Sequence, residues 1–395
     1  MKTNKSLLGI FVMLIIMISC KKDDDHSFDE IEETTNNIVG SLWINSSNVF
    51  TELDLKDNQQ SNTFTTLSSF RCTEFDGTFI CTQGEYTGTK TVLRKGTFNG
   101  ELKWSKDYVS TSEKYYQLKT TELYENTVFV SYSIVNSTTY ESTNHLEALN
   151  LDDGVVKWSI DLVHQAQKMT LHGDQLIAEL SIGSSTTELL SINKNNGHID
   201  HSIPFTDRIS KFIGGASSVL IMTWNNSIIS LDAELNVNWT FNTGEPNILG
   251  GYEIGNQFVF YSRDQTVYSI DKNEGSLIWK HTYMEKYPLA MGISNDAIFI
   301  THRAEGTLNI IIKTLDIITG EELDSYTYMT TEEWNSSATK YYFFDKHLLL
   351  FNIVPDNNKA NIVLMNISDK KVLWEQVLDQ IAYPHLIITP TGYYQ

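Results

Sequence analysis

Several things are scarce in this chain, and each scarcity excludes something. Three cysteines in 395 residues are too few for a disulfide framework or a cysteine-rich metal centre. Six prolines leave no proline-rich linker or ligand segment. Basic residues are outnumbered, 29 Lys and Arg against 49 Asp and Glu, for a formal charge of -20. Phosphate backbones are neutralised by Lys and Arg, so nucleic acid is not an expected partner, and direct binding to anionic lipid is disfavoured. HExxH, GxSxG, Walker A and GxGxxG are all absent. Ser368 to Lys371 satisfies SxxK but nothing else of that constellation is present. No stretch of useful length carries a 3.6-residue apolar period, which leaves an all-β chain.

The first forty residues carry targeting information. Lys2 and Lys5 precede "LLGIFVMLIIMIS", a basic segment and an apolar run too short to span a membrane comfortably. Residues 1–19 are therefore expected to be a signal peptide. Met17-Ile18-Ser19-Cys20 resembles a bacterial lipobox, which implies that Cys20 is lipidated and anchors the mature chain to a membrane. "CKKDDD" and a polar tether over 20–37 follow. They resemble the export signal of Bacteroidota lipoproteins, which implies the outer membrane and its cell-surface face, with the periplasmic face as the alternative. Cys72 and Cys81 flank "FDG", a turn signal, so a hairpin is expected to set them face to face. In an extracytoplasmic protein such a pair is expected to form a disulfide.

The rest of the chain repeats itself. Eight segments consist of an apolar strand, an Asp or Asn anchor, a short polar run and a second strand. The anchors are Asp54, Gly96 (where Asp is replaced), Asn150, Asn193, Asp232, Asp271, Asp316 and Asn366. They are spaced by 42, 54, 43, 39, 39, 45 and 50 residues. Each interval accommodates four short strands, one propeller blade. The anchor carboxylate or amide can bond the backbone two residues on and open a turn. Gly100, Gly154, Gly197, Gly275 and Gly320 follow four residues after their anchors and supply the positive φ that closes it.

The pattern of apolar strand, Asp-x-x-x-Gly, apolar residues and Trp resembles the PQQ-like β-propeller repeat. That repeat occurs in quinoprotein alcohol dehydrogenases and in BamB-like lipoproteins of outer-membrane protein assembly. The resemblance implies a single propeller over 38–395 with four-stranded antiparallel blades, eight in number or alternatively seven. A blade shared by the two ends of the chain, with Leu386–Thr389 joining the strands around Leu42–Leu55, is expected to close it. Trp104, Trp158, Trp239, Trp279 and Trp374 match the family's docking tryptophan and are expected to wedge neighbouring blades together. His201, Asp324 and Asn62 stand where Trp belongs, which leaves the His201 and Asp324 positions as candidates for a divergent edge.

Function is less legible. Catalytic quinoproteins of this fold hold PQQ and calcium, use an Asp base and often carry adjacent cysteines. Here there is no Cys-Cys pair, no CxxCH and no Asp that matches, so no cofactor, no metal and no catalytic residue are assigned. His198 and His201 lack a third ligand. The expectation is a non-enzymatic binding or scaffold module with a protein or glycan partner, monomeric or part of a hetero-complex. The alternatives are a periplasmic BamB-like scaffold and a PQQ- and calcium-dependent oxidoreductase. "KYY" at Lys114–Tyr116 and at Lys340–Tyr342 offers aromatic platforms for a sugar.

Overall fold

A computed structural model describes residues 40–394 apart from short connecting segments, the longest being 85–89, 283–287, 304–308 and 330–338. Over 45–50, 61–90 and 383–395 it describes at most the backbone. The segments expected to be a signal peptide and a tether, with Cys20 between them, lie outside the described residues.

The described residues contain strands and turns and no helix. They form eight antiparallel sheets, the blades of a propeller. Seven contain four consecutive strands each: blade 2 spans residues 70–109, blade 3 114–162, blade 4 166–205 and blade 5 209–242. Blade 6 spans 248–282, blade 7 288–328 and blade 8 339–378. Blade 1 takes Ser41–Ser46, Val49–Asp54 and Gln60–Thr65 from one end of the chain and Tyr383–Thr389 and Gly392–Tyr394 from the other. Ser41, Leu42 and Trp43 pair with Ile388, Ile387 and Leu386. The ring closes where the sequence places the closure, with eight blades rather than seven. Closure removes two sheet edges that would otherwise remain open to pairing.

First strands of neighbouring blades lie side by side, Lys114–Tyr124 beside Ala166–His172 and Pro288–Ser294 beside Thr339–Phe344, so first strands form the inner edge and fourth strands the rim. Middle strands are covered on both faces by neighbouring blades, which is why they read as unbroken apolar runs. Val219 to Met222 and Leu348 to Phe351 are buried throughout. Rim strands have one covered face and alternate.

A second regularity was not visible in the sequence. In every blade the pairing of the third and fourth strands slips by one residue at the same place, for example between Ala148 and Leu149 and between Ser230 and Leu231. The extra residue is the one just before the Trp position, such as Lys157 before Trp158. A bulge there re-aims the next side chain. It turns the indole toward the neighbouring blade and leaves the aliphatic residue two places earlier, Leu102, Val156, Val237 or Leu277, exposed on the rim.

Candidate functional site

The joints between blades come first, because they contain most of the conspicuous residues. At five anchors the side-chain oxygen accepts the backbone N–H two residues on: Asp54 from Lys56 at 2.7 Å and, in the turns that also carry Gly, Asn150 from Asp152 at 2.8 Å, Asn193 from Asn195 at 3.0 Å, Asp271 from Asn273 at 2.8 Å and Asp316 from Ile318 at 2.9 Å. The Gly four places on then returns its N–H to the anchor carbonyl, at 2.9, 2.9, 2.8 and 2.8 Å respectively. The carbonyl just after the anchor points to the preceding blade and accepts an indole N–H. Trp104 donates to Leu151 at 2.7 Å, Trp158 to Lys194 at 2.8 Å, Trp239 to Lys272 at 3.0 Å and Trp374 to Leu55 at 2.7 Å. Trp279 takes the same position without a partner for its N–H among the described residues.

The indoles also explain the glycines a second time. A Cβ on Gly154 would lie 2.8 Å from the ring of Trp104, on Gly197 2.7 Å from Trp158, on Gly275 2.5 Å from Trp239 and on Gly320 2.5 Å from Trp279. Positive φ alone does not require Gly, but the indole lying flat on the turn does.

At two of the three positions that lack Trp, the turn of the next blade lacks Gly as well. His201 of blade 4 faces a turn that has Leu235 in the left-handed region, buried with Ile203 and Phe205. The carbonyl that an indole would take, that of Ala233, accepts instead from the Ser191 hydroxyl at 2.7 Å. Asp324 of blade 7 faces Lys370, also left-handed, and the two form an ion pair at 2.7 Å. The two divergent positions are thus rebuilt joints. Asn62 stands at the equivalent strand position of blade 1, opposite Glu52.

Reactive-looking groups are absorbed the same way. Glu147 is buried between blades 2 and 3, where it accepts from the Lys106 ammonium at 2.7 Å and from the Tyr108 hydroxyl. Burial first, and the adjacent Glu147 charge second, push the Tyr108 phenol far above its ordinary range. Tyr116 and Tyr132 pack on that phenol ring, so the first "KYY" is part of a joint. In the second, Tyr341 and Tyr342 pack against two separate core clusters. Neither stretch is a free platform, because both lie on inner strands rather than on the rim. His198 bonds Asp200 at 2.8 Å. Among the described residues, no three His, Cys, Asp or Glu side chains converge in a way that holds a metal ion.

The two ends of the strands differ. Within a blade, the turns joining first to second and third to fourth strands fall on one face. The turns joining second to third strands, and the linkers between blades, fall on the other. On the first face the lengths are nearly constant: two residues in six of seven first turns, and four or five in the anchor turns. On the second face they range from two to ten residues. Uniform turns serve the scaffold, and variable loops on a rigid scaffold are where binding residues concentrate.

Trp224 stands on that variable face. It is 54% exposed, whereas Trp104, Trp158 and Trp279 are buried and Trp239 and Trp374 are partly so. Its position is fixed from both sides. Its backbone N–H donates to the Arg208 carbonyl at 2.9 Å, and the Arg208 guanidinium lies 5.4 Å from the ring centre. The Asn225 amide donates to Asp207, and the Asn226 carbonyl accepts from the Thr243 hydroxyl at 3.1 Å. The linkers on both sides of blade 5 therefore hold this turn. Tyr140, Val163 and Ile182, on the same face of blades 3 and 4, are exposed as well. Sequence reading passed over Trp224 because it lacks the repeat offset. That missing offset was the available signal.

Comparison with known proteins agrees with this architecture. A family model described as outer membrane protein assembly factor BamB matches residues 59–281, more than half of the chain. No curated protein matches the sequence. Among solved structures, BamB from Moraxella catarrhalis superposes with a TM-score of 0.50 at 12% identity, covering 84% of this chain and 97% of that one. Apo AztD from Citrobacter koseri gives 0.56 at 9% identity, covering 91% and 99%. The dihydro-heme d1 dehydrogenase NirN gives 0.60 at 9%, covering 88% and 75%, so the fold also carries enzymes. At such identities the likeness is one of fold. The repeat, the ring of eight sheets and the family match converge, and the chain belongs to the PQQ-like propeller family described as outer membrane protein assembly factor BamB.

Proposed function

We propose that this chain is a non-enzymatic binding propeller of the outer membrane, anchored through lipid on Cys20 and displayed at the cell surface. Its variable face captures a protein or glycan partner, with Trp224 at the contact. The observation that carries this reading is the exposed indole of Trp224, the one outward indole among the described side chains, set against Arg208 in a turn that Thr243 ties through the Asn226 carbonyl, on the face whose loops vary. Trp and Arg are the residues most enriched at energetically dominant contact points. A pinned side chain also loses little freedom on binding.

The family description supports a second reading, a scaffold for outer-membrane protein assembly, which would act on the periplasmic face. One experiment addresses both. Crosslinking pull-downs from intact outer membranes are compared for the unaltered chain, Trp224→Ala and a control on the uniform face, Ile318→Ala. Loss of the same partner in Trp224→Ala alone supports the site. Retention of every partner in Trp224→Ala discards it. Cleavage by protease added to intact cells supports surface display, and protection supports the periplasmic scaffold.

A further inference from the structure

Residues 38–395 contain two cysteines, Cys72 and Cys81. They fall in the first two strands of blade 2, Phe70–Phe75 and Thr78–Gly84, which form a hairpin with an uninterrupted register. Phe75 pairs with Thr78, Glu74 with Phe79, Thr73 with Ile80 and Cys72 with Cys81. Directly opposed residues of an antiparallel pair project from the same face of the sheet. Their Cα atoms are about 4.5 Å apart in one type of pair and about 5.5 Å in the other. Both spacings fall within the roughly 4.4–6.8 Å that a disulfide spans. A slip of one residue would put the two on opposite faces, so the pairing depends on this register.

We propose that Cys72 and Cys81 are joined by a disulfide in the exported protein, stapling the inner two strands of the blade that follows the ring closure. The bond forms by exchange with a donor disulfide of the cell envelope. One thiolate attacks a donor sulfur and gives a mixed disulfide. The second thiolate then displaces the donor. The donor leaves as a dithiol, having gained the two electrons and two protons that the cysteines lose. Occurrence in the cell rests on the extracytoplasmic reading given above, whereas the capacity to form the bond rests on the register alone.

The test is differential alkylation of the full chain isolated from cell envelopes, unfolded without reductant, followed by peptide mapping. The expected result is that neither cysteine is alkylated before reduction and both are afterwards. A cross-linked peptide pair joining Cys72 to Cys81, lighter by two hydrogens than the sum of its parts, is also expected. Cys72→Ser is expected to leave Cys81 open to alkylation. A second arm incubates the reduced, folded chain with oxidised glutathione. Free thiols in both arms, or a link between two chains, overturn the proposal. Free thiols in the envelope sample with closure by glutathione would overturn occurrence in the cell and count against the export reading, leaving the register intact.

Discussion

The indole N–H of Trp374 donates to the carbonyl of Leu55 at 2.7 Å, joining positions 319 residues apart. This is the joint between blades 8 and 1, and it repeats what Trp104, Trp158 and Trp239 do between neighbours. Replacing this Trp therefore loosens ring closure as well as local packing. Trp374→Ala is expected to destabilise by about 2–4 kcal/mol, the lower part of the range for large-to-small changes because the ring is only partly buried. Trp374→Phe keeps most of the apolar contact and loses the hydrogen bond, about 1 kcal/mol. Denaturant titrations of the two variants should fall in that order.

Gly275 and Gly255 separate two roles that a turn glycine can have. Both have positive φ, +69 and +54 degrees. A Cβ on Gly275 meets the Trp239 ring at 2.5 Å, whereas one on Gly255 meets nothing within 4 Å. Gly255→Ala is expected to cost about 1–2 kcal/mol from the left-handed backbone alone. Gly275→Ala adds overpacking, about 1–3 kcal/mol more. Equal losses in thermal unfolding would show that the indole yields freely.

The joint between blades 7 and 8 is held by Asp324 and Lys370, both well exposed. Such an exposed pair contributes little and is screened by salt. Asp324→Trp alone is expected to give no gain, because Lys370 occupies the turn on which an indole would rest. Asp324→Trp combined with Lys370→Gly recreates the family joint and is expected to raise the melting temperature above either single change. The coupling read from the double-mutant cycle is the measurement.

Glu122 lies on the inner strand of blade 3, with the Thr120 hydroxyl at 3.4 Å as its partner. Burial raises its carboxyl to about 7 from an ordinary 4.5, opposed only by that hydrogen bond. The folded state holds the proton more tightly than the unfolded one. Its contribution is fully present below about pH 4.5 and is lost as pH rises through about 7. The loss at pH 8 amounts to at most about 3 kcal/mol. Glu122→Gln is expected to flatten the stability profile between these limits. An unchanged slope in urea titrations across that window would remove Glu122 as its cause.

Much of this fold could be read from the chain. An anchor, a Gly and a Trp at fixed offsets encode a turn, its closure and the residue that spans the joint, and all three act locally or on the next repeat. What escaped reading depends on partners in a different blade. Gly154 and Gly197 were read as φ residues, yet each also lies under an indole from the preceding blade. Leu235 and Lys370 could be understood only once His201 and Asp324 were seen across the joint. The bulge before each Trp leaves no mark in composition. Trp224 was legible only as an exception, since its role depends on which end of the strands its turn occupies.

A chain synthesised from its N-terminus makes Ser41–Ser46 early and Tyr383–Thr389 late. Until the late strand arrives, the early one presents bare backbone amides and carbonyls, and seven finished blades form an open arc. The arc is the state most exposed to pairing with another chain. Folding of this chain therefore has to keep the arc apart from its copies until the last blade is in place.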